Sequence, residues 1–335
     1  MKSGIKKGLH LAAVSLFFIS VFFIYERLDE SMIPEMDPGS VSFAKGVVFG
    51  APADAASYEM GSGKGAAIDA DAAKRQIDLI SDLGADAVRF DLEKNNLENA
   101  DEMEKLDSVM EYARKKKLKA ILACRGRESW SGPGEGKGKP DWEEFKQGYK
   151  KDVVFLMERY RPEYIAILPG CPYDIGRQVG VKKSSEEWFE YAKEVGVAVK
   201  QIGFSANVML EGTPFSDGKG AGGSEFAEAA LGSNDISIDI FSMSAGNIEE
   251  LETGMKDLLA LKKKYHWEGE LWMGNLRADF GDDAARQEDF LLYSLYLADS
   301  KGFSGVVVGS LADSDGDKGG ILEKDYAAKA SYAAI

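Results

Sequence analysis

The chain has 335 residues, of which 44% are hydrophobic and 29% are charged, and its 41 basic and 56 acidic side chains give a net charge of −15. This composition excludes a disordered chain and a polytopic membrane protein, and the excess of acidic residues argues against nucleic acid as a partner. Two cysteines cannot build a structural zinc site, and only His266 lies outside the apolar N-terminal run. We therefore expect neither a metal centre nor a cofactor.

The first predicted element is an apolar helix at residues 8–25, GLHLAAVSLFFISVFFIY, which carries no formal charge. Eighteen helical residues rise about 27 Å, close to the ~30 Å hydrocarbon core of a bilayer. Lysines are concentrated in residues 1–7 and acidic residues follow the run, so the positive-inside rule predicts a cytoplasmic tip and a chain that continues in the periplasm or outside the cell. No small-x-small cleavage site follows, which favours an uncleaved signal anchor over a cleaved signal peptide. Residues 26–44, with two prolines, predict a tether.

From residue 45 onward, short apolar runs alternate with stretches whose apolar residues recur at helical spacing. The runs are rich in Val, Ile, Leu and Phe, which is typical of parallel strands covered on both faces. Eight runs are present, at residues 46–49, 85–90, 119–124, 164–168, 203–210, 236–242, 270–273 and 305–309. Eight strand–helix units predict a single (β/α)8 TIM barrel over residues 45–335. An open doubly wound sheet is the alternative, but it would normally carry a glycine-rich phosphate turn after its first strand.

Several phrases in this part of the chain resemble clan A glycoside hydrolases, and they occur in that family's order. They are GADAVRFD at residues 84–91, YRPEYIAI at 160–167, GELWMGNLRAD at 269–279, GVVVGSLAD at 305–313, GGILEKDY at 319–326 and KASY at 329–332. The resemblance covers nearly all of residues 45–335. It implies a barrel that cleaves glycosidic bonds with two carboxylates, and a strand-two arginine, Arg89 here, that supports the nucleophile.

The positions where the family carries its two catalytic glutamates hold other residues in this chain. The acid/base position at the end of strand four is Gly170, and the nucleophile position at the end of strand seven is Asn275. An amide cannot form the glycosyl intermediate, and glycine has no group that could protonate a leaving oxygen. No Asp or Glu lies within two positions of either residue. The resemblance therefore implies the fold without the family's activity.

Other carboxylates follow the predicted strands, and barrel active sites assemble from such positions. Asp91, Asp174, Glu211 and Asp279 are the candidates, and Glu211 with Asp279 is the pair we expect if the chain is active. The more ordinary interpretation is that they cap helices or pair with arginines such as Arg125. The predicted ligand cleft comprises Arg89, Asp91, Trp130, Asp174, Asn275 and Arg277.

Three smaller patterns complete the predicted mouth. Cys124 and Cys171 follow neighbouring strands and either form a disulfide in an oxidising compartment or remain buried thiols. Trp130 lies in a glycine-rich loop and either stacks on a sugar ring or anchors that loop. Asp313, Asp315 and Asp317 resemble part of a calcium loop, but their spacing favours a polar turn over a metal site.

The sequence therefore predicts a membrane-anchored, extracytoplasmic, glycoside-hydrolase-like barrel that is catalytically degenerate and that binds carbohydrate or acts as a scaffold. Two alternatives remain. One is an active glycoside hydrolase that uses relocated carboxylates, and the other is a structural subunit of a membrane complex. The expected partners are accordingly a polysaccharide or other glycan, further subunits of a membrane complex, and the membrane itself through the N-terminal helix.

Overall fold

The structure, a computed structural model, describes residues 48–52, 68–125, 141–212, 223–276 and 284–309. Eight parallel strands pair in chain order and the first pairs with the last, so the sheet is a closed barrel. The strands are β1 (Val48–Pro52), β2 (Ala87–Glu93), β3 (Lys119–Arg125), β4 (Tyr164–Cys171), β5 (Asn207–Gly212), β6 (Ile240–Ala245), β7 (Glu270–Leu276) and β8 (Gly305–Val308). The α/β TIM barrel expected from the sequence is confirmed.

Helices follow the strands and cover the outside of the barrel. Within the described ranges they are α1 (Ala70–Asp82), α2 (Lys94–Glu98), α3 (Ala100–Lys115), α4 (Trp142–Tyr160), α5 (Tyr173–Val179), α6 (Ser185–Gln201), α7 (Gly223–Gly232), α8 (Ile248–Tyr265) and α9 (Ala284–Lys301). Short polar side chains begin several of them, because their oxygens accept hydrogen bonds from the unpaired N–H groups of the first turn. Ser184 forms a full capping box with Glu187 at the start of α6.

Two strands begin four residues later than the sequence pattern predicts. The apolar run at 203–210 becomes strand only at Asn207, and the run at 236–242 only at Ile240. Gly203 has a φ of +80°, a left-handed conformation that a strand does not contain, and Ile236 is 93% exposed. The predicted runs therefore included loop residues such as Ile236, because a hydrophobic pattern alone does not show where the chain turns.

The predicted membrane anchor at 8–25 and the tether at 26–44 lie outside the described residues. Within the ranges that the structure does describe, no helix combines the length and the apolar character needed to cross a bilayer.

The inside of the barrel is filled by a layer of apolar side chains, which we call the interior plug. Trp272 and Tyr164 are its largest members, with ring centroids 5.0 Å apart. Its residues are Ala87, Ile121, Ala123, Tyr164, Ala166, Met209, Ile240, Trp272 and Val307. A second, larger core lies between the strands and the helices. The plug closes the barrel below its mouth, so any ligand site must lie above it, at the carboxyl ends of the strands.

Candidate functional site

Charged side chains enter the barrel mouth directly above the interior plug. Side chains alternate along a strand, so residues two or four positions beyond a plug residue also face inward. Counting on from the plug on β2, β3 and β5, this alternation directs four charged residues with described side chains into the mouth, namely Arg89, Asp91, Arg125 and Glu211. The structure thus brings together residues that are up to 122 positions apart.

A buried ion pair joins β2 to β5 at the centre of the mouth. Each side chain of the Arg89–Glu211 pair is 5% exposed. Arg89 Nη2 donates to Glu211 Oε2 at 3.0 Å, and Nη1 donates to Glu211 Oε1. Nη1 also donates to the carbonyl oxygen of Gly274 on β7 at 3.1 Å. Burial alone would lower the pKa of Arg89, but the Asp91 and Glu211 carboxylates outweigh it and raise the pKa above its usual value. Arg89 is therefore charged at every ordinary pH.

Asp91 links this buried pair to the solvent side of the mouth. Its Oδ1 accepts from Arg89 Nε at 3.2 Å and Nη2 at 2.9 Å, and its Oδ2 accepts from Arg125 Nη2 at 2.9 Å. Burial would raise the pKa of Asp91, but the charges of Arg125 and Arg89 prevail and lower it to about 2. Asp91 therefore stays ionised and cannot donate a proton near neutral pH.

Acidification is expected to destabilise the barrel through Asp91. Because the pKa of Asp91 in the fold, about 2, lies below its usual value of 3.8, its contribution is fully present above about pH 4 and is lost as the pH falls toward 2. The shift corresponds to about 2 kcal/mol. Urea unfolding at pH 5 and at pH 2.5 measures the loss, which we expect to be larger in the wild type than in Asp91→Asn. Equal losses in the two proteins would contradict the prediction.

Gly274 has no space for a side chain, because Ser242 and Glu211 already occupy it. A Cβ atom built on Gly274 would lie 3.0 Å from Glu211 Oε1 and 2.5 Å from Ser242 Oγ. Residue 274 is left out of both strand ladders, where the register of β7 shifts. Ser242 faces Glu211 across the β5–β6 ladder, and its buried Oγ has no hydrogen-bond partner among the described residues. The Glu211 carboxylate of β5 and the Ser242 side chain of β6 therefore fill the space beside Gly274 of β7.

The end of β4 is irregular where the family resemblance places the acid/base. Leu168 and Gly170 have φ values of +49° and +73°, and the register with β5 shifts between Ile167 and Cys171. The hydroxyl of Tyr149, on α4, accepts from the Leu168 N–H at 2.6 Å and donates to the Cys124 carbonyl at 3.0 Å. One helical tyrosine thus connects the ends of β3 and β4. This role could not be read from the sequence, because Tyr149 belongs to an ordinary apolar stripe.

Cys124 and Cys171 are buried free thiols, so the alternative to a disulfide is the one observed. A disulfide between neighbouring strands would require the two side chains to point together. Ala123 pairs with Ala166, so Cys124 lies one residue beyond the last paired position while Cys171 lies five residues beyond it. Burial raises the pKa of both thiols above the usual value, and neither is a ready nucleophile.

The remaining predicted site residues are placed as follows. Asn275 is half-buried on β7, paired with Ser244 of β6, and makes no hydrogen bond to another described side chain. Asp174 belongs to the short helix α5. Predictions that lie outside the described residues are those for Trp130, Arg277, Asp279, Asp313, Asp315 and Asp317. Within the described ranges, no group of three or more His, Cys, Asp or Glu side chains could hold a metal ion.

No protein-family model and no curated protein matches the chain. Its fold, however, is similar to solved glycoside hydrolases. The cellulose synthase subunit Z from Clostridioides difficile is 14% identical, with a TM-score of 0.58 over 86% of this chain and 99% of that one. A broad-specificity endoglucanase from Clostridium longisporum is 15% identical, with a TM-score of 0.57 over 87% and 94%.

A third similar structure, XacCel5A in complex with cellopentaose, is 12% identical, with a TM-score of 0.55 over 78% of this chain and 88% of that one. At these identities the likeness shows the fold alone. The described barrel therefore has the fold of clan A glycoside hydrolases, as the resemblance in the sequence implied.

Proposed function

We propose that this chain binds a glycan in the mouth of its barrel without hydrolysing it, and that residues 8–25 hold the barrel at a membrane, outside the cytoplasm. Two observations support the glycan: ligand sites of such barrels lie at the carboxyl ends of the strands, and a structure of similar fold, XacCel5A, was solved in complex with cellopentaose. The pairing of Asp91 and Glu211 with arginine supports the loss of hydrolysis. The apolar run at residues 8–25 supports the membrane anchor.

The observation that carries the proposal is that Asp91 and Glu211, the mouth carboxylates whose side chains the structure describes, are both paired with arginine. Hydrolysis with retention needs one ionised carboxylate and one protonated carboxyl group about 5–5.5 Å apart. Asp91 has a pKa of about 2 and is bound by two arginines, so it cannot serve as the acid. Both oxygens of Glu211 are held by Arg89. With Gly170 and Asn275 at the positions where the resemblance places the catalytic glutamates, neither Asp91 nor Glu211 offers an unpaired carboxyl group as the acid.

Calorimetry and a reducing-end assay on the purified barrel test the two halves of this proposal. We expect oligosaccharides of β-linked sugars, with cellopentaose as the first probe, to bind without release of new reducing ends. Heat-denatured protein is the control for adventitious binding. Turnover above that of the denatured control would overturn the degenerate assignment, and the absence of binding by any oligosaccharide in the panel would overturn the glycan site.

A working hydrolase is the second candidate, and the position of Glu211 favours it. Glu211 occupies the space beside β7, the strand that carries the family's nucleophile, and Arg89 contacts it there. In that case Glu211 would attack the sugar, with Asp279 as the predicted partner. Turnover that Glu211→Gln and Asp279→Asn each abolish would establish this function, whereas turnover that survives both substitutions would exclude this pair.

The membrane half of the proposal is tested on the full chain in cells. We expect the protein to remain in the membrane fraction after carbonate extraction, and a variant lacking residues 1–25 to become soluble. Externally added protease is expected to digest the barrel once the outer membrane or cell wall has been permeabilised, because the barrel is proposed to lie outside the cytoplasm. A mature N-terminus beyond Tyr25 would show instead that the run is a cleaved signal peptide.

A further inference from the structure

We infer that the anchored barrel rests on the membrane with its mouth facing away, and that the surface around Ile236, at the opposite end of the barrel, contacts the lipid. This rests on the proposed anchor at residues 8–25 and adds to it the orientation and the contact surface of the barrel. Two features support it, namely the end at which the chain enters the barrel and the side chains that are exposed there.

The chain enters the barrel at the end opposite the mouth. The eight strands are parallel, so their amino ends lie together at one end, and β1 begins there at Val48. We call this end the lower face. It comprises the loops that lead into β2–β8, all of them within the described residues, at 83–86, 116–118, 161–163, 202–206, 233–239, 266–269 and 302–304. The anchor is therefore joined to the lower face, and the mouth lies at the far end.

The length of the connection favours the lower face as the side nearest the bilayer. Residues 26–47, which connect the predicted anchor to β1, number 22. An unrestrained chain of that length spans about 25 Å on average, whereas a domain the size of this barrel is about 50 Å across. An inverted barrel would require the connection to run along the whole height of the barrel, at a cost in conformational entropy.

Apolar side chains are exposed on one part of the lower face. Among the described large apolar side chains Ile236, in the loop that leads into β6, is the most exposed, at 93%. Phe204, in the neighbouring loop that leads into β5, is half-buried. Val197 of α6 is 43% exposed and follows Gly196, whose Cβ would lie 2.8 Å from the Ser237 carbonyl oxygen. Single exposed apolar residues are ordinary, but several around one loop form a patch that lipid contact removes from water.

Exposed cations adjoin this patch. Lys117 and Lys119 lie at the entry to β3, and Arg161 lies at the entry to β4. The guanidinium carbon of Arg161 is 4.1 Å from the centre of the Phe204 ring. Lysine and arginine beside apolar side chains suit a bilayer surface, because their charged ends lie among lipid phosphates while the apolar groups enter the acyl boundary.

The acidic side chains in the loops that lead into β4 and β6 are engaged within the protein. Glu163 and Asp235 each accept a backbone hydrogen bond at 2.8 Å, and Asp239 is paired with Lys200. A carboxylate held in this way repels an anionic headgroup less than one without a partner. The part of the lower face before β3–β6 therefore fits a lipid surface.

The test places a fluorescent label at either end of one strand in the full chain. Ile236→Cys labels the loop before β6, and Glu249→Cys, at an exposed position in the first turn of α8, labels the chain just beyond the same strand. Cys124 and Cys171 are buried, so unsubstituted protein is the control for background labelling. The labelled proteins are reconstituted into nanodiscs of phosphatidylcholine and phosphatidylglycerol that contain a spin-labelled lipid as quencher.

We expect the lipid quencher to remove about half or more of the fluorescence at position 236, since an interfacial side chain lies within about 5–10 Å of the acyl boundary, and to leave position 249 unchanged. Quenching at 249 alone, or equal quenching at both positions, would overturn the inferred orientation. Quenching at neither position in protein that co-purifies with the nanodisc would overturn the lipid contact and leave the anchor intact. Protein that does not associate with the nanodisc would overturn both.

A second label position tests Ile236 itself. Ser205→Cys labels an exposed position in the neighbouring loop that leads into β5, and its quenching is compared with and without Ile236→Asp. The aspartate is expected to reduce the quenching about twofold, because a charged group resists insertion below the headgroups. The melting temperature is expected to stay the same, since position 236 is 93% exposed. Unchanged quenching at position 205 would show that Ile236 does not make the contact.

Discussion

Gly305→Ala is expected to lower the free energy of unfolding by about 3 kcal/mol or more, or to prevent folding. A Cβ atom at this position would lie 2.2–2.4 Å from three atoms of the Trp272 indole ring. Trp272 is fully buried in the interior plug and packs against Tyr164, so the ring has no free space to move into. Urea unfolding followed by tryptophan fluorescence and circular dichroism measures the effect.

Gly50 on β1 is the matched control for this substitution. Its Cβ would make ordinary contacts of 3.5 Å with Ala87 and Ile121, so Gly50→Ala is expected to change stability by less than about 1 kcal/mol. In the double variant Gly305→Ala/Trp272→Leu the smaller side chain makes room, and part of the loss should be recovered. A melting temperature of Gly305→Ala equal to that of the wild type would refute the packing argument.

Arg89→Met is expected to cost about 3–5 kcal/mol of stability, because it leaves the Glu211 carboxylate buried without a counter-charge. The methionine keeps much of the apolar volume, so the loss reports the missing charge and hydrogen bonds. The double variant Arg89→Met/Glu211→Met is expected to be more stable than Arg89→Met alone, since it removes both buried charges. Urea unfolding at pH 7 completes the double-mutant cycle.

An exposed ion pair on the outside of the barrel supplies the comparison. Arg159 and Asp107 are bonded, and their side chains are 40% and 44% exposed. Arg159→Met is expected to cost less than about 1 kcal/mol, because water and salt screen the pair. If Arg89→Met costs no more than Arg159→Met, the buried network does not stabilise the mouth.

The element order of this fold was predictable because its signals are local. Each of the eight predicted runs contains or overlaps an observed strand, and the helical stripes lie on the buried faces of their helices. The exceptions are the starts of β5 and β6, where apolar character continued into a loop. Ile236 illustrates the reason, because its side chain is apolar yet 93% exposed, and exposure depends on neighbours that are distant in sequence.

The partners within the site were less predictable. The family resemblance marked Arg89 as the support for a carboxylate on strand seven, and the structure instead pairs it with Glu211 on β5. Arg125 entered the sequence argument only as one of several arginines that could pair with strand-end carboxylates. Its hydrogen bond to Asp91 depends on the register between β2 and β3, which sets Asp91 beside Ala123 and so two residues before Arg125.

The sequence by itself determined that this chain folds as a (β/α)8 barrel, because hydrophobic period is a property of neighbouring residues. It also showed that Gly170 and Asn275 stand where the resemblance places the family's catalytic glutamates. Only the tertiary structure decided which charges meet in the mouth and that Cys124 and Cys171 are buried free thiols. Those outcomes depend on strand register and on irregularities such as that at the end of β4, and a displacement of a few residues changes which side chains face one another.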